Sequence, residues 1–203
     1  MRPNHIALAA MVFTIPVSDA RAQQSSEAHA RNNCRLAEQV LATGHPAPHT
    51  EWAIRVIPGC GARGGQAVSA FLQRTRRATE SGPLDRLVES VWGMRDSRIF
   101  ATALSIAGDA TSSEYARLQS IRILSSLVTA NTHVSVDQIG KNPRVIEGIT
   151  DVEPTSGDPL PGDYLATMAS SLSRIVADPG ATAELREAAR FVEAMARRRM
   201  DRG

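Results

Sequence analysis

The chain has 203 residues, of which 42% are hydrophobic but only 4% aromatic, so a core must be assembled mainly from Ala, Leu, Ile and Val. That composition suits packed helices. The 23 basic and 21 acidic residues nearly cancel, which excludes a disordered polyelectrolyte and argues against a nucleic-acid binder that needs a dense basic surface.

The sequence begins with the features of a secretory signal. Arg2 and His5 form a short basic start, Ile6 to Val17 is apolar apart from Thr14 and Pro16, and Ala20-Arg21-Ala22 has the small-x-small pattern that signal peptidase needs. Residues 1–22 are therefore read as a signal peptide cleaved before Gln23. Residues 23–203 are read as a single all-α domain, periplasmic or secreted. The apolar run is too short to span a bilayer, and no later segment approaches the roughly 18 unbroken apolar residues of a spanning helix, so no integral membrane segment is expected after cleavage. Export also sets the redox chemistry. Cys34 and Cys60 are the only cysteines, and an even number in an oxidising compartment predicts that they pair.

Hydrophobic spacing then gives a succession of helices. Leu36, Ala37, Val40 and Leu41 form a first stripe, stopped by Gly44-His45-Pro46-Ala47-Pro48. Thr50 offers an N-cap for a short helix carrying Trp52, Ile54, Val56 and Ile57, ended by Pro58-Gly59. Val68, Phe71 and Leu72 mark the next helix. Leu84, Leu87, Val88 and Val91 line another, with Pro83 in its first turn, where a missing N–H costs nothing. Asp96 caps a segment bearing Ile99, Phe100, Ala103, Leu104 and Ala107, which Gly108-Asp109 ends. From about Ser112 to Thr129, Leu118, Ile121, Leu124 and Val128 repeat at helical spacing and predict one core face. Gly140 to Asp163 reads as a long loop rich in Pro and Gly, with alternation only at Val145 to Val152. Two stripes close the chain: Tyr164, Leu165, Met168, Leu172, Ile175 and Val176, then Leu185, Ala188, Ala189, Val192 and Met195. Short connections imply antiparallel neighbours.

Two places share a local grammar. Asp109 precedes Arg117 by the same number of residues as Asp178 precedes Arg186, with Glu114 and Glu184 in the first turn of the helix that follows each. At these residues the chain resembles HEAT-like repeat proteins, in which a turn Asp and a helix Arg stitch neighbouring helix pairs. The resemblance is best over Asp96 to Ala130 and Asp178 to Met200. It implies a right-handed α-solenoid of about four to five antiparallel helix pairs, whose stacked units bury a face that none could bury alone. A compact helical bundle is the alternative.

Several motifs dissolve on inspection. Gly59-Cys60-Gly61-Ala62-Arg63-Gly64 fits G-x-G-x-x-G, but the fingerprint needs a preceding strand in a βαβ unit, so a close helix-to-helix turn beside the disulfide explains the glycines. His45 and His49 have metal-ligand spacing only on a helix, which Pro46 and Pro48 oppose. Arg74, Arg76 and Arg77, like Arg197, Arg198, Arg199 and Arg202, fall at helix ends, where cations meet the negative end of the dipole. Glu147, Asp151, Glu153, Asp158 and Asp163 in the loop do not match an EF-hand pattern, and no G-x-S-x-G is present. No catalytic, cofactor or metal residues are assigned, and no cofactor is expected. The expected function is a non-enzymatic module that binds a protein or peptide partner and no nucleic acid. An envelope hydrolase with its site near the 140–163 loop is the alternative.

Overall fold

The computed structural model describes residues 17–44, 46–79, 82–92, 94–128, 133–134, 145–146 and 157–201. They form an all-α structure of helices α1 (Val17–Thr43), α2 (Ala47–Val56), α3 (Gly61–Thr75), α4 (Pro83–Ser90), α5 (Ser97–Gly108), α6 (Glu114–Val128), α7 (Tyr164–Ala177) and α8 (Ala183–Met200). A 3-10 turn, Ile57–Cys60, joins α2 to α3, and the two-residue strands His133–Val134 and Val145–Ile146 pair antiparallel. Val145–Ile146 falls where the sequence showed alternation. Among the described residues no helix is long and apolar enough to cross a membrane.

The boundaries follow local chemistry. Gly44 ends α1 in a left-handed conformation, φ 74°, with its N–H donating to the Val40 carbonyl. Asp96 caps α5 by accepting from the N–H groups of Arg98 and Ile99. Thr182 caps α8 through the N–H of Leu185. The start of α2 differs from expectation: the helix begins at Ala47 with Pro46 at its cap and Pro48 inside the first turn. Proline is tolerated there because first-turn N–H groups have no partner within the helix, so Thr50 lies in the helix and not at its cap. Leu36, placed in the first core stripe by its spacing, is 39% exposed, whereas Ala37 and Leu41 are fully buried.

The helices touch in two rows. The odd-numbered helices contact one another in order, α1 with α3, α3 with α5 and α5 with α7; the even-numbered ones do the same. The pairs α1–α2, α5–α6 and α7–α8 bridge the rows. Within a row the helices run parallel, as their end-to-end contacts show. Ser90 at the end of α4 donates its hydroxyl to the Ile54 carbonyl near the end of α2, and Arg199 at the end of α8 donates to the Leu127 carbonyl near the end of α6. One continuous core runs between the rows from Ala37 to Ala196, with Phe100 and Tyr164 meeting edge to face at 6.2 Å.

Helix α6 departs from its expected amphipathic form. Ile121, Leu124 and Val128 are buried as predicted, but so are Gln119, Ser120, Ser125 and Ser126, while Leu118 is only partly covered. Its contacts with α4, α5, α8 and the first strand account for this. The serines tolerate burial because Ser125 and Ser126 donate their hydroxyls to the carbonyls of Arg122 and Ile123 on the preceding turn.

Candidate binding surface

Cys34 on α1 and Cys60 in the 3-10 turn form a disulfide with their Cα atoms 5.5 Å apart. The bond joins the first helix to the turn that starts α3. Gly64 lies against that turn so closely that a Cβ there would sit 2.5 Å from the Ile57 carbonyl oxygen. Of the glycines in the G-x-G-x-x-G stretch, Gly64 thus serves helix packing and Gly61 supplies a positive φ of 57°, whereas a Cβ on Gly59 would meet nothing within 4 Å. Closing a loop of about 27 residues restricts the unfolded chain by roughly 3.5 kcal/mol on the chain-entropy account. Cys34→Ser is therefore expected to lower the melting temperature measured without reductant; an unchanged melt would deny the bond a structural role.

The Asp109 and Asp178 turns are built alike. The N–H of each Asp donates to the isoleucine carbonyl three residues earlier, Ile106 or Ile175, and each Asp carbonyl accepts from the residue three later, Ser112 or Ala181. Each carboxylate accepts the N–H two residues on, Thr111 at 2.9 Å and Gly180 at 2.8 Å. A hydroxyl then caps the following helix in both: Ser113 accepts from Ala116 and Thr182 from Leu185. The N–H and hydroxyl of Thr111 and the hydroxyl of Ser112 hold the Asp109 carboxyl below the ordinary carboxylate range. The turns are also linked in sequence. Ser113 donates its N–H to the Arg76 carbonyl and its hydroxyl to the Ala78 carbonyl after α3, and Thr182 donates its hydroxyl to Glu114 at the start of α6.

The two arginines diverge. Arg117 is 8% exposed and its Nε donates to the Ala107 carbonyl at the end of α5, 2.9 Å away. Arg186 is half-buried and lines an open cleft of about 410 Å³ with Val176, Ala183, Glu187 and Arg190. Val176 stands in the second turn where Ala107 stands in the first. Lysine carries charge but not the planar fork whose Nε makes the Ala107 bond. Arg117→Lys is accordingly expected to cost about 1 kcal/mol, the worth of one buried hydrogen bond, in urea denaturation. Full stability in that variant would rule out a stitching role.

Asp96, expected only as a cap, is the most connected polar group among the described residues. It is wholly buried. Beyond the α5 N–H groups it accepts the Asp158 N–H at 3.0 Å and pairs with Arg98 at 3.0 Å, and Arg98 reaches the Ala62 carbonyl on α3 and the Asp158 carboxylate. Burial alone pushes the Asp96 carboxyl up, but Arg98 and the N–H groups of Asp158, Arg98 and Ile99 outweigh it and hold it below its ordinary value of 3.8. A Cβ on Gly157 would lie 2.5 Å from this carboxylate, and one on Gly65 would lie inside it. Nothing short of this three-dimensional meeting marks Gly65 or Gly157 in the sequence.

A second polar group of residues lies between α4 and α6. Gln119 Nε2 donates to Asp85 at 2.7 Å, while Gln119 Oε1, Tyr115 Oη and Arg122 Nε are buried with no hydrogen-bond partner among the described residues. Burial, with the Asp85 carboxylate beside it, pushes the Tyr115 phenol up.

The remaining sequence candidates are placed as follows. His49 lies exposed in the first turn of α2; His45, Glu147, Asp151, Glu153, the side chain of His133 and Arg202 lie outside the described residues. Asp158 is ion-paired to Arg98, and Asp163 accepts from the Thr167 hydroxyl in the first turn of α7. Among the described residues no cluster of His, Cys, Asp and Glu could hold a metal ion. Arg74 stacks over Phe71, 5.1 Å from the ring centroid. Arg197 pairs with Glu193 at 2.9 Å, and Arg199 caps the last turn of α6 rather than of its own helix. No protein-family profile matches the chain, no curated protein is significantly similar to it, and no solved structure matches it.

Proposed function

We propose that the chain is an exported helical-repeat module of the α-solenoid kind, HEAT-like in its turns, that binds a protein or peptide and catalyses no reaction. The observation that carries this reading is the recurrence of one turn at Asp109 and Asp178, joined by turn-to-turn hydrogen bonds along one edge of two rows of parallel helices. In such a stack each pair contacts only its neighbours, which leaves extended surfaces for recognition. The disulfide suits the oxidising compartment that the N-terminal sequence suggests.

The test is a pull-down from envelope extract with the oxidised chain, expected to retain a partner in stoichiometric amount. Recovery of nothing above background, combined with turnover in a hydrolase screen that disappears on deleting residues 144–160, would replace this reading with an enzyme.

A further inference from the structure

The outward face of the last helix pair differs chemically from the same face inside the stack. On α6, Arg117, Ile121, Leu124 and Val128 share one face by their i, i+4, i+7, i+11 spacing, and all four are buried. Carried through the register of the two Asp turns, these positions become Arg186, Arg190, Glu193 and Arg197 on α8, none of them buried. Glu114, which receives the hydroxyl of the next turn, becomes Ala183. This face therefore lacks both the apolar residues that are buried on α6 and the acceptor that receives the Thr182 hydroxyl. A further helix pair does not fit it; something anionic does.

The charges on this face are unevenly satisfied. Glu193 accepts the Ser173 hydroxyl at 2.5 Å and pairs with Arg197. Burial raises its carboxyl, but Ser173 and Arg197 prevail and keep it ionised below the ordinary range. Arg186 and Arg190 make no hydrogen bond or ion pair among the described residues, Arg190 acting on Glu193 only through space. They stand one helical turn apart on the cleft, whose lining Val176, Ala183 and Glu187 complete.

We propose that this cleft is a docking site for an acidic segment of a partner protein, taking one Asp or Glu side chain between Arg186 and Arg190. The assignment rests on the reading of the chain as a binding module and names the chemistry of its partner. Two guanidinium groups offer planar forks matched to a carboxylate. Val176 and Ala183 cover the methylene stem of the bound side chain. Glu187, in the same lining, repels a second negative charge, which favours a singly charged carboxylate over phosphate.

The experiment is a fluorescence-anisotropy titration of the full oxidised chain with a labelled hexaglutamate peptide, with hexaglutamine as control. Saturable binding of the acidic peptide alone is expected, weakened about tenfold or more by Arg186→Ala or Arg190→Ala, the loss of a charge-assisted hydrogen bond in each case. Glu187→Gln is expected to tighten it, and Arg76→Ala with Arg77→Ala to leave it unchanged. Melting curves of the arginine variants should match the parent, since neither side chain is buried and neither makes a hydrogen bond among the described residues. Binding indifferent to Arg186 and Arg190, or equally reduced by the Arg76 and Arg77 changes, overturns the site in favour of general charge attraction. Displacement of the peptide by inorganic phosphate at lower concentration than by acetate overturns the carboxylate assignment. If a variant carrying both Arg186→Ala and Arg190→Ala still retains a partner from envelope extract, the cleft assignment fails while the module reading stands.

Discussion

Asp96→Ala is expected to cost at least about 3 kcal/mol of stability, enough to unfold a large fraction of a marginally stable chain. The change removes the cap of α5, leaves the Asp158 N–H without its acceptor and deprives Arg98 of its buried partner. Measured by urea denaturation, a midpoint equal to that of the parent would show that the network is dispensable. The same residue predicts a response to acid. Because its folded pKa lies below the ordinary 3.8, its stabilisation is complete above that value and is lost as pH falls through the folded value. Stability should therefore decline below about pH 4 in the parent, and Asp96→Asn should flatten part of that decline.

Leu124→Ala is expected to be comparably severe, at about 2 to 5 kcal/mol, because the side chain is wholly buried in α6 and its removal leaves a cavity. Leu118→Ala, on the same helix but only partly covered, should cost clearly less. Equal midpoints for the two variants would mean that α6 does not pack as described.

The contrast between Leu118 and Leu124 shows how far the sequence could be read. Periodicity located the helices because apolar residues at helical spacing have one physical use, the burial of a face. It could not show that α6 is enclosed from several directions, since Ser125 and Ser126 look polar until their hydroxyls are seen to bond the preceding turn. The Asp109 and Asp178 grammar was visible because a turn Asp and the first turn of the helix after it are local chemistry. Its unequal arginines were not, because what Arg117 and Arg186 face depends on which helices lie beyond them. Pro48 misled for the opposite reason: the rule against proline in helices lapses in the first turn, and only the position of Pro46 fixed where that turn begins. Asp96 was legible as a cap, whereas its approach to Gly65 and Gly157 joins three segments distant in sequence.

The grip of Asp96 on Gly157 and Asp158 has a consequence for variation and engineering. It fixes the chain ahead of α7, just as the Arg199 bond to the Leu127 carbonyl fixes the end of α6. Both ends of the intervening stretch are thus anchored by contacts that do not involve it. Loop-closure entropy rises by only about 0.6 kcal/mol per doubling of length. Inserted length ahead of α7 is therefore expected to cost little so long as Gly157 and Asp158 are kept, since a Cβ at Gly157 would meet the Asp96 carboxylate.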